Sequence, residues 1–279
     1  MDDEYAIKIS NLSFKYPEKE EYTLSDINFS IKKGEKVALM GESGKGKSTL
    51  LRLIASYEKM QSGKIEINSK EIAEKMPNDI ISYLPQDANK ALFPWKNIKG
   101  NLYYPLSLRH DNLTEEDMWK KVKEMVYEFQ LQNEVNDKKK YPLKLSGGEK
   151  KRLSLIMALS IQPKIVLLDE PFSALDFMTA ENLWKYLRKY FKENETTLLL
   201  VTHSLSEAAV MADKVVFLDK DGKIVPLENE SFQKYADQLT EDEKSKLEKP
   251  GELMLLPKFN EYKQKIRDGY EKNSTIHKE

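Results

Sequence analysis

The chain has 279 residues, with 45 Lys and Arg against 46 Asp and Glu, a formal net charge of -1 and no cysteine. That length suffices for one or two buried cores, and near-neutrality supplies no global field to attract nucleic acid or an anionic membrane surface. The missing thiols exclude disulfides, cysteine zinc sites and thiol catalysis, as suits a reducing cytoplasm. The acidic opening MDDEYAIKIS lacks the basic-then-apolar pattern of a secretory signal. No apolar run approaches the roughly 20 residues that cross a bilayer, so any membrane role is expected through a partner.

In chain order, Ile7 and Ile9, then Ile27, Phe29 and Ile31, alternate with polar neighbours as half-buried strands do. After a turn at Lys33-Gly34-Glu35, the continuous apolar run Val37-Ala38-Leu39-Met40 predicts a strand buried on both faces. Ser48–Ser56 predicts a helix and Gly63–Ile67 another alternating strand. From about Asp87 to Leu145 the texture changes: Met118, Val122, Met125, Val126 and Phe129 fall at helical spacing. This stretch predicts a helical subdomain inserted into an α/β core. Beyond it come a helix at Glu149–Ser160, a strand at Ile165–Leu168, a helix at Thr179–Lys192 and a strand at Leu198–Val201. Val215–Leu218 and Lys223–Val225 predict a hairpin across Asp221-Gly222. From about Pro226 the chain is charged and expected to be helical in pieces, packing on the body or stabilising a dimer. The basic runs Lys138-Lys139-Lys140 and Lys150-Lys151-Arg152 are expected to be solvated faces.

Gly41-Glu42-Ser43-Gly44-Lys45-Gly46-Lys47-Ser48 fits G-x-x-x-x-G-K-[ST] between the apolar strand and a helix, which is the setting that pattern requires. Glycines let backbone N–H groups close around phosphate oxygens, and the helix N-terminus adds its dipole. Lys47 is expected to neutralise the terminal phosphates of ATP and Ser48 to bind Mg²⁺, with Thr49 completing the nucleotide contacts. The strand Ile165–Leu168 runs into Asp169-Glu170. Ligands gather at the carboxyl ends of parallel strands, so Asp169 is expected to hold the metal and Glu170 to deprotonate the attacking water.

Leu145-Ser146-Gly147-Gly148-Glu149 resembles the LSGGQ signature of ABC transporter ATPases, with glutamate at the last position. The resemblance implies that Ser146, Gly147, Gly148 and Glu149 contact ATP bound to the opposite subunit. Further residues follow in the family's order. Tyr16 resembles the aromatic that stacks on adenine. Gln86 resembles the glutamine of the Q-loop, which contacts metal and attacking water and joins core to helical subdomain. Asp176, in Ser173-Ala174-Leu175-Asp176, resembles the D-loop, and a helix N-cap is its plainer role. His203 resembles the switch histidine at the γ-phosphate.

What the resemblance implies is a P-loop NTPase of the ABC cassette type over residues 1–225, with an α/β core, an antiparallel β subdomain and the helical insertion at about 87–145. Residues 226–279 form a short extension. Two cassettes would close head-to-tail on two ATP molecules and drive a separate integral-membrane permease from its cytoplasmic face, with no nucleic acid involved. The stretch Gln86–Trp95 is similar to the "QDA…LLPW" segment of cassettes serving nitrate, sulfonate and taurine importers, which receive cargo from an extracytoplasmic binding protein. Lys90-Ala91 is inserted relative to the commonest spacing. Phe93 and Trp95 read equally as subdomain core or as the lining of a permease groove. Two other readings stay open at this stage: a cassette of an export or lipid-extraction system, and a soluble ABC ATPase acting on nucleic acid or ribosomes.

Overall fold

The computed structural model describes residues 4–71, 80–110, 112–227, 237–244, 246 and 250–274. Its centre is a six-stranded sheet ordered β10-β9-β3-β8-β7-β6. The members are β3 (Lys36–Gly41), β6 (Ile81–Leu84), β7 (Ile165–Asp169), β8 (Thr197–Val201), β9 (Lys214–Leu218) and β10 (Ile224–Pro226). All pairings are parallel except the β9–β10 hairpin. Both faces of this sheet are covered. On β3, β7 and β8 the alternate residues Ala38, Met40, Val166, Leu168, Leu198 and Leu200 enter one hydrophobic cluster, and Val37, Leu39, Ile165, Leu167, Leu199 and Val201 enter another. That is why these strands read as unbroken apolar runs.

The second cluster is closed by an antiparallel sheet, β2-β1-β4-β5. It comprises β1 (Tyr5–Phe14), β2 (Leu24–Lys32), β4 (Ser62–Ile67) and β5 (Lys70–Glu71). Ile7 faces Ile31, and Ile9 faces Phe29. One face of this sheet and the helix α1 (Lys47–Ile54) pack together against the central sheet. The hairpin turn touches the antiparallel sheet directly: Ser25 N–H donates to the Gly222 carbonyl at 2.9 Å. Gly222 has φ +73 there, and an added Cβ would lie 2.9 Å from the Thr23 carbonyl, so the Asp-Gly signal answers to both conformation and space.

The helical insertion contains α2 (Ile98–Arg109), α3 (Glu115–Glu128) and α4 (Gln132–Asn136). α3 starts at a complete capping box between Thr114 and Asp117 and buries Val122, Met125 and Val126. α2 falls within the helical insertion expected at about 87–145 but is not picked out as an element, because Pro105 inside it and a weak apolar stripe conceal it. Its anchor is Asn101, fully buried, whose amide nitrogen donates to the carbonyls of Phe93, Lys96 and Asn97 while its oxygen accepts from Phe93 N–H at 2.8 Å. One side chain thus fixes the loop by which the core enters the insertion.

α5 (Gly147–Ser160) packs on α2, α3 and β6, so it belongs to both lobes. It begins two residues earlier than its apolar pattern indicates, at Gly147. α6 (Phe177–Glu193) and α7 (Leu205–Met211) cover the same face of the sheet. Beyond it lie α8 (Glu241–Lys244), α9 (Pro250–Met254) and α10 (Pro257–Ser274). α10 buries Phe259, Tyr262 and Ile266 against α7 and β9, each worth roughly 2 kcal/mol of transfer free energy. The extension is therefore packed on the core, as one of the two expectations had it. Residues 228–236 of it fall outside the described residues. No described helix is long and apolar enough to cross a membrane.

Candidate active site

The phosphate loop leaves β3 at Gly41, and α1 starts directly after Gly46. Both glycines are there for close approach. A Cβ on Gly41 would stand 2.5 Å from the Leu218 carbonyl, and one on Gly46 would stand 2.9 Å from Thr23 while the backbone holds φ +107. Gly46 offers no side-chain cap, and the first turn of α1 has no acidic residue. Its N–H groups therefore keep their capacity for an anion. Lys47, 6% exposed, folds back so that Nζ donates to the carbonyls of Gly41 at 2.8 Å and Glu42 at 2.7 Å. Burial pulls its pKa down, against the opposing charges of Glu170, Asp169 and Glu42. The ammonium is held by neutral acceptors that a phosphate oxygen, being charged, outcompetes.

Asp169 ends β7 at 2% exposure, with the Ser48 hydroxyl bonded to it and its Oδ1 buried without any protein partner. Burial raises its carboxyl above the usual range. An orphaned buried carboxylate oxygen costs about 1–3 kcal/mol unless something else uses it. A hard divalent cation fits that unmatched oxygen: Asp169 and Ser48 would supply two ligands, and the rest of an octahedral shell is left to further oxygens. Among the described residues no cluster of three or more His, Cys, Asp or Glu could hold a metal ion.

Glu170 follows with φ +47, a left-handed backbone that a non-glycine residue holds only at a cost of about 1 kcal/mol or more. Several bonds sustain it. Glu170 N–H donates to the Val201 carbonyl at 3.0 Å, and its own carbonyl accepts from Ser173 Oγ at 3.1 Å. The effect is to present the carboxylate between two partners on different segments. Gln86 Nε2 donates to Oε2 at 3.0 Å, and His203 Nε2 lies 3.0 Å from Oε1. β6, β7 and β8 are adjacent in the sheet, so the three residues that follow their ends meet at one edge.

His203 has a second layer behind it. Thr202 hydroxyl donates to the Glu207 carboxylate, and Ser204 N–H donates to Thr202 Oγ1 at 3.0 Å. Burial, with Glu170 adding repulsion and the Thr202 bond opposing, pushes Glu207 up to about 7. Nothing in the sequence reading singled out Glu207; its only signal was its place three residues after a helix-capping serine.

The remaining expected site residues sit apart from this cluster. Tyr16 is half-buried, with its ring edge-on to Phe14 and its hydroxyl bonded to Arg52 at 2.7 Å and Thr49 at 3.2 Å. Ser146 caps α5 in a complete capping box: Glu149 N–H donates to Ser146 Oγ at 3.2 Å, and Ser146 N–H donates to Glu149 Oε2 at 2.6 Å. Glu149 also stands 3.7 Å from Lys140, so its charge is turned onto its own helix start. Asp176 caps α6, accepting from Thr179 N–H at 3.0 Å and Thr179 Oγ1 at 2.6 Å. The side chains of Ser146 and Asp176 are engaged at their own helix starts.

One expectation is overturned. Lys151, read with Lys150 and Arg152 as a solvated face, is only 5% exposed, and Lys150 and Arg152 are half-buried. Lys151 alone turns inward, its Nζ bonded to the backbone carbonyls of Gln86 and Glu170, while its two neighbours stay partly exposed. A three-residue basic run gives no sign of which member points inward.

The family model for ABC transporters matches residues 24–173. The aliphatic sulfonates import ATP-binding protein of Zymomonas mobilis is 39% identical over 215 residues, covering 77% of this chain and 82% of that protein. The sulfate/thiosulfate import ATP-binding protein of Halalkalibacterium halodurans is 36% identical over 222 residues, which is 78% of this chain but only 60% of that protein, so the chain spans about three fifths of this relative's length. A dimeric ATP-binding cassette solved in a post-hydrolysis state with ADP and Pi superposes with a TM-score of 0.71 at 30% identity, covering 81% of this chain and 98% of that one. The strand–loop–helix around Lys47, the edge-of-sheet meeting of Gln86, Glu170 and His203, and these matches agree: the chain belongs to the ABC transporter family.

Proposed function

We propose that this chain is an ATPase that works as one half of a head-to-tail cassette dimer and drives import through a separate membrane permease. Residues 1–225 form the cassette and 226–279 its extension. The observation that carries the reading is the carboxylate of Glu170, held at 3.0 Å by both Gln86 and His203 next to Asp169.

Lys47 and the N–H groups of the loop Gly41–Ser48 bind the terminal phosphates of ATP. Ser48, Asp169 and Gln86 would hold Mg²⁺, which when bound would draw charge from the phosphate oxygens. Glu170 takes the proton of the attacking water, and Gln86 and His203 keep its carboxylate aimed. Tyr16 offers its ring to adenine. Ser146 and Gly147 are exposed and Gly148 half-buried, open to a second copy's nucleotide, and Asp176 precedes the exposed Phe177 and Met178.

The permease is expected at the Q-loop side. Phe93 packs edge-on to Tyr104 with centroids 4.5 Å apart, while Trp95 is 72% exposed beside it. Phe93 thus serves the subdomain and Trp95 is available to a partner. The relatives named for sulfonate, sulfate and nitrate import favour a small oxoanion or a sulfonate as cargo, delivered by an extracytoplasmic binding protein, with the cassette peripheral on the cytoplasmic face.

The test is Glu170→Gln. Turnover is expected to fall at least about 100-fold while ATP affinity stays within about threefold, and the variant is expected to sediment as a dimer when ATP is present. Undiminished ATPase activity would end the reading.

A further inference from the structure

Among the described residues two lysines are more than nine-tenths buried, Lys47 and Lys151. The first is explained by the phosphate loop. The second, on the second turn of α5, has no role in the reaction as outlined. Its Nζ donates to the backbone carbonyl of Gln86 and, at 3.1 Å, to that of Glu170. Gln86 follows β6, Glu170 follows β7, and these strands are parallel neighbours. One ammonium therefore bridges three segments: the signature helix, the Q-loop and the end of the acidic strand.

The arrangement is costly to build. Burial presses the Lys151 pKa down, with Asp169, Glu170 and Asp87 opposing through space, and its polar partners are peptide carbonyls rather than a carboxylate. An apolar residue of similar length would fill the same space without that penalty. What only the ammonium supplies is a donor to both carbonyls at once. The Glu170 carbonyl matters in particular, since its residue sits at φ +47 and its carboxylate direction depends on that backbone. Ser173 Oγ at 3.1 Å and Lys151 Nζ grip it together.

We propose that Lys151 is a positioning residue that ties the signature helix to the backbones of Gln86 and Glu170, so that displacement of the helical lobe is passed to the carboxylate that activates water. The proposal rests on the reading of Glu170 as the catalytic base. It concerns how that base is aimed, not whether ATP is bound.

Two experiments on the full chain test it. Lys151→Met keeps length and removes the donor; it is expected to lower kcat at least about tenfold with KM for ATP within about twofold. Because the chain contains no cysteine, Lys151→Cys also introduces a single thiol. Alkylated in denaturant with 2-bromoethylamine and refolded, it carries an ammonium of nearly lysine length; alkylated with 1-iodopropane, it carries a neutral chain of similar size. The aminoethyl form is expected to recover kcat to within about threefold of refolded parent, and the propyl form to stay with Lys151→Met. Recovery by the propyl form equal to that of the aminoethyl form would reduce Lys151 to packing and overturn the proposal. So would a Lys151→Met variant whose kcat stays within about twofold of parent, or one whose KM alone changes. Full turnover in Glu170→Gln would instead remove the catalytic reading itself, whatever the Lys151 variants do.

Discussion

Two helix starts in this chain are suited to anions, and they are finished differently. α1 begins after Gly46 with no side-chain cap and no acid in its first turn, whereas α5 begins with Ser146 and Glu149 satisfying each other in a capping box. The first start is incomplete without a ligand. The second is complete on its own: of its early donors, the N–H groups of Ser146 and Glu149 are already taken. What α5 has left to offer is the hydrogen of the Ser146 hydroxyl and the N–H groups of Gly147 and Gly148, which no carbonyl of their own helix can accept. In the proposed dimer a phosphate would be a structural component for α1 and a visitor for α5.

The comparison can be broken at either end, or at a third helix start that repeats the pattern. The largest effect is expected at α1. Lys47→Ala should weaken ATP binding about 100-fold, close to 2.7 kcal/mol, in titrations with a fluorescent nucleotide. A loss under about threefold would mean that α1 does not depend on its ligand in the way argued.

The second effect concerns α7, where Ser204-Leu-Ser-Glu207 has the same serine-to-glutamate spacing as Ser146-Gly-Gly-Glu149. A carboxyl raised from 4.5 to about 7 keeps in the native state a proton that the unfolded chain has released. Stability is therefore expected to fall as pH rises from about 4.5 to about 7. Glu207→Gln should stabilise the protein by about 2 kcal/mol at pH 8, less than the roughly 3 kcal/mol the full shift allows because water still reaches part of the side chain. The gain should vanish near pH 4.5 in urea melts, and a gain independent of pH would contradict a neutral Glu207.

The smallest effects belong to α5. Ser146→Ala should cost about 1 kcal/mol as a lost cap. Glu149→Gln, which keeps the reciprocal bond and gives up only the Lys140 pair, should cost under about 0.5 kcal/mol. The same melts measure both, and equal losses would mean that the Lys140 pair, not the cap, holds this start together.

Much of the architecture was legible because it rests on local rules. The double-faced burial of β3, β7 and β8 shows as unbroken apolar runs, the hairpin as Asp221-Gly222, and the phosphate loop as glycines at fixed spacing before a lysine. Strand ends in a parallel sheet gather ligands, so Asp169, Glu170 and His203 could be placed near one another before any coordinates. What escaped depends on side-chain bonds and burial that an apolar pattern does not record. α2 was hidden by Pro105 and is secured by Asn101, whose four bonds go to Phe93, Lys96 and the N-cap Asn97 just before it. Lys151, flanked by two basic neighbours, reads as surface, yet α5 lies between two lobes and has little free face.

The capping serines and glutamates of α5 and α7 mark the boundary between the two kinds of information. A serine oxygen three residues before a glutamate meets backbone donors that every helix leaves open, so the spacing suits a helix start at each, although the sequence reading expected only α5. Only the tertiary structure decided what the glutamates do. Burial works against the charge of Glu149, but the Ser146 bonds and Lys140 outweigh it and hold its carboxyl below the ordinary range; Glu207, turned inward onto Thr202 with Glu170 nearby, has its carboxyl raised. Charge is settled by the dielectric and the partners around a side chain, and those come from parts of the chain that local sequence does not see.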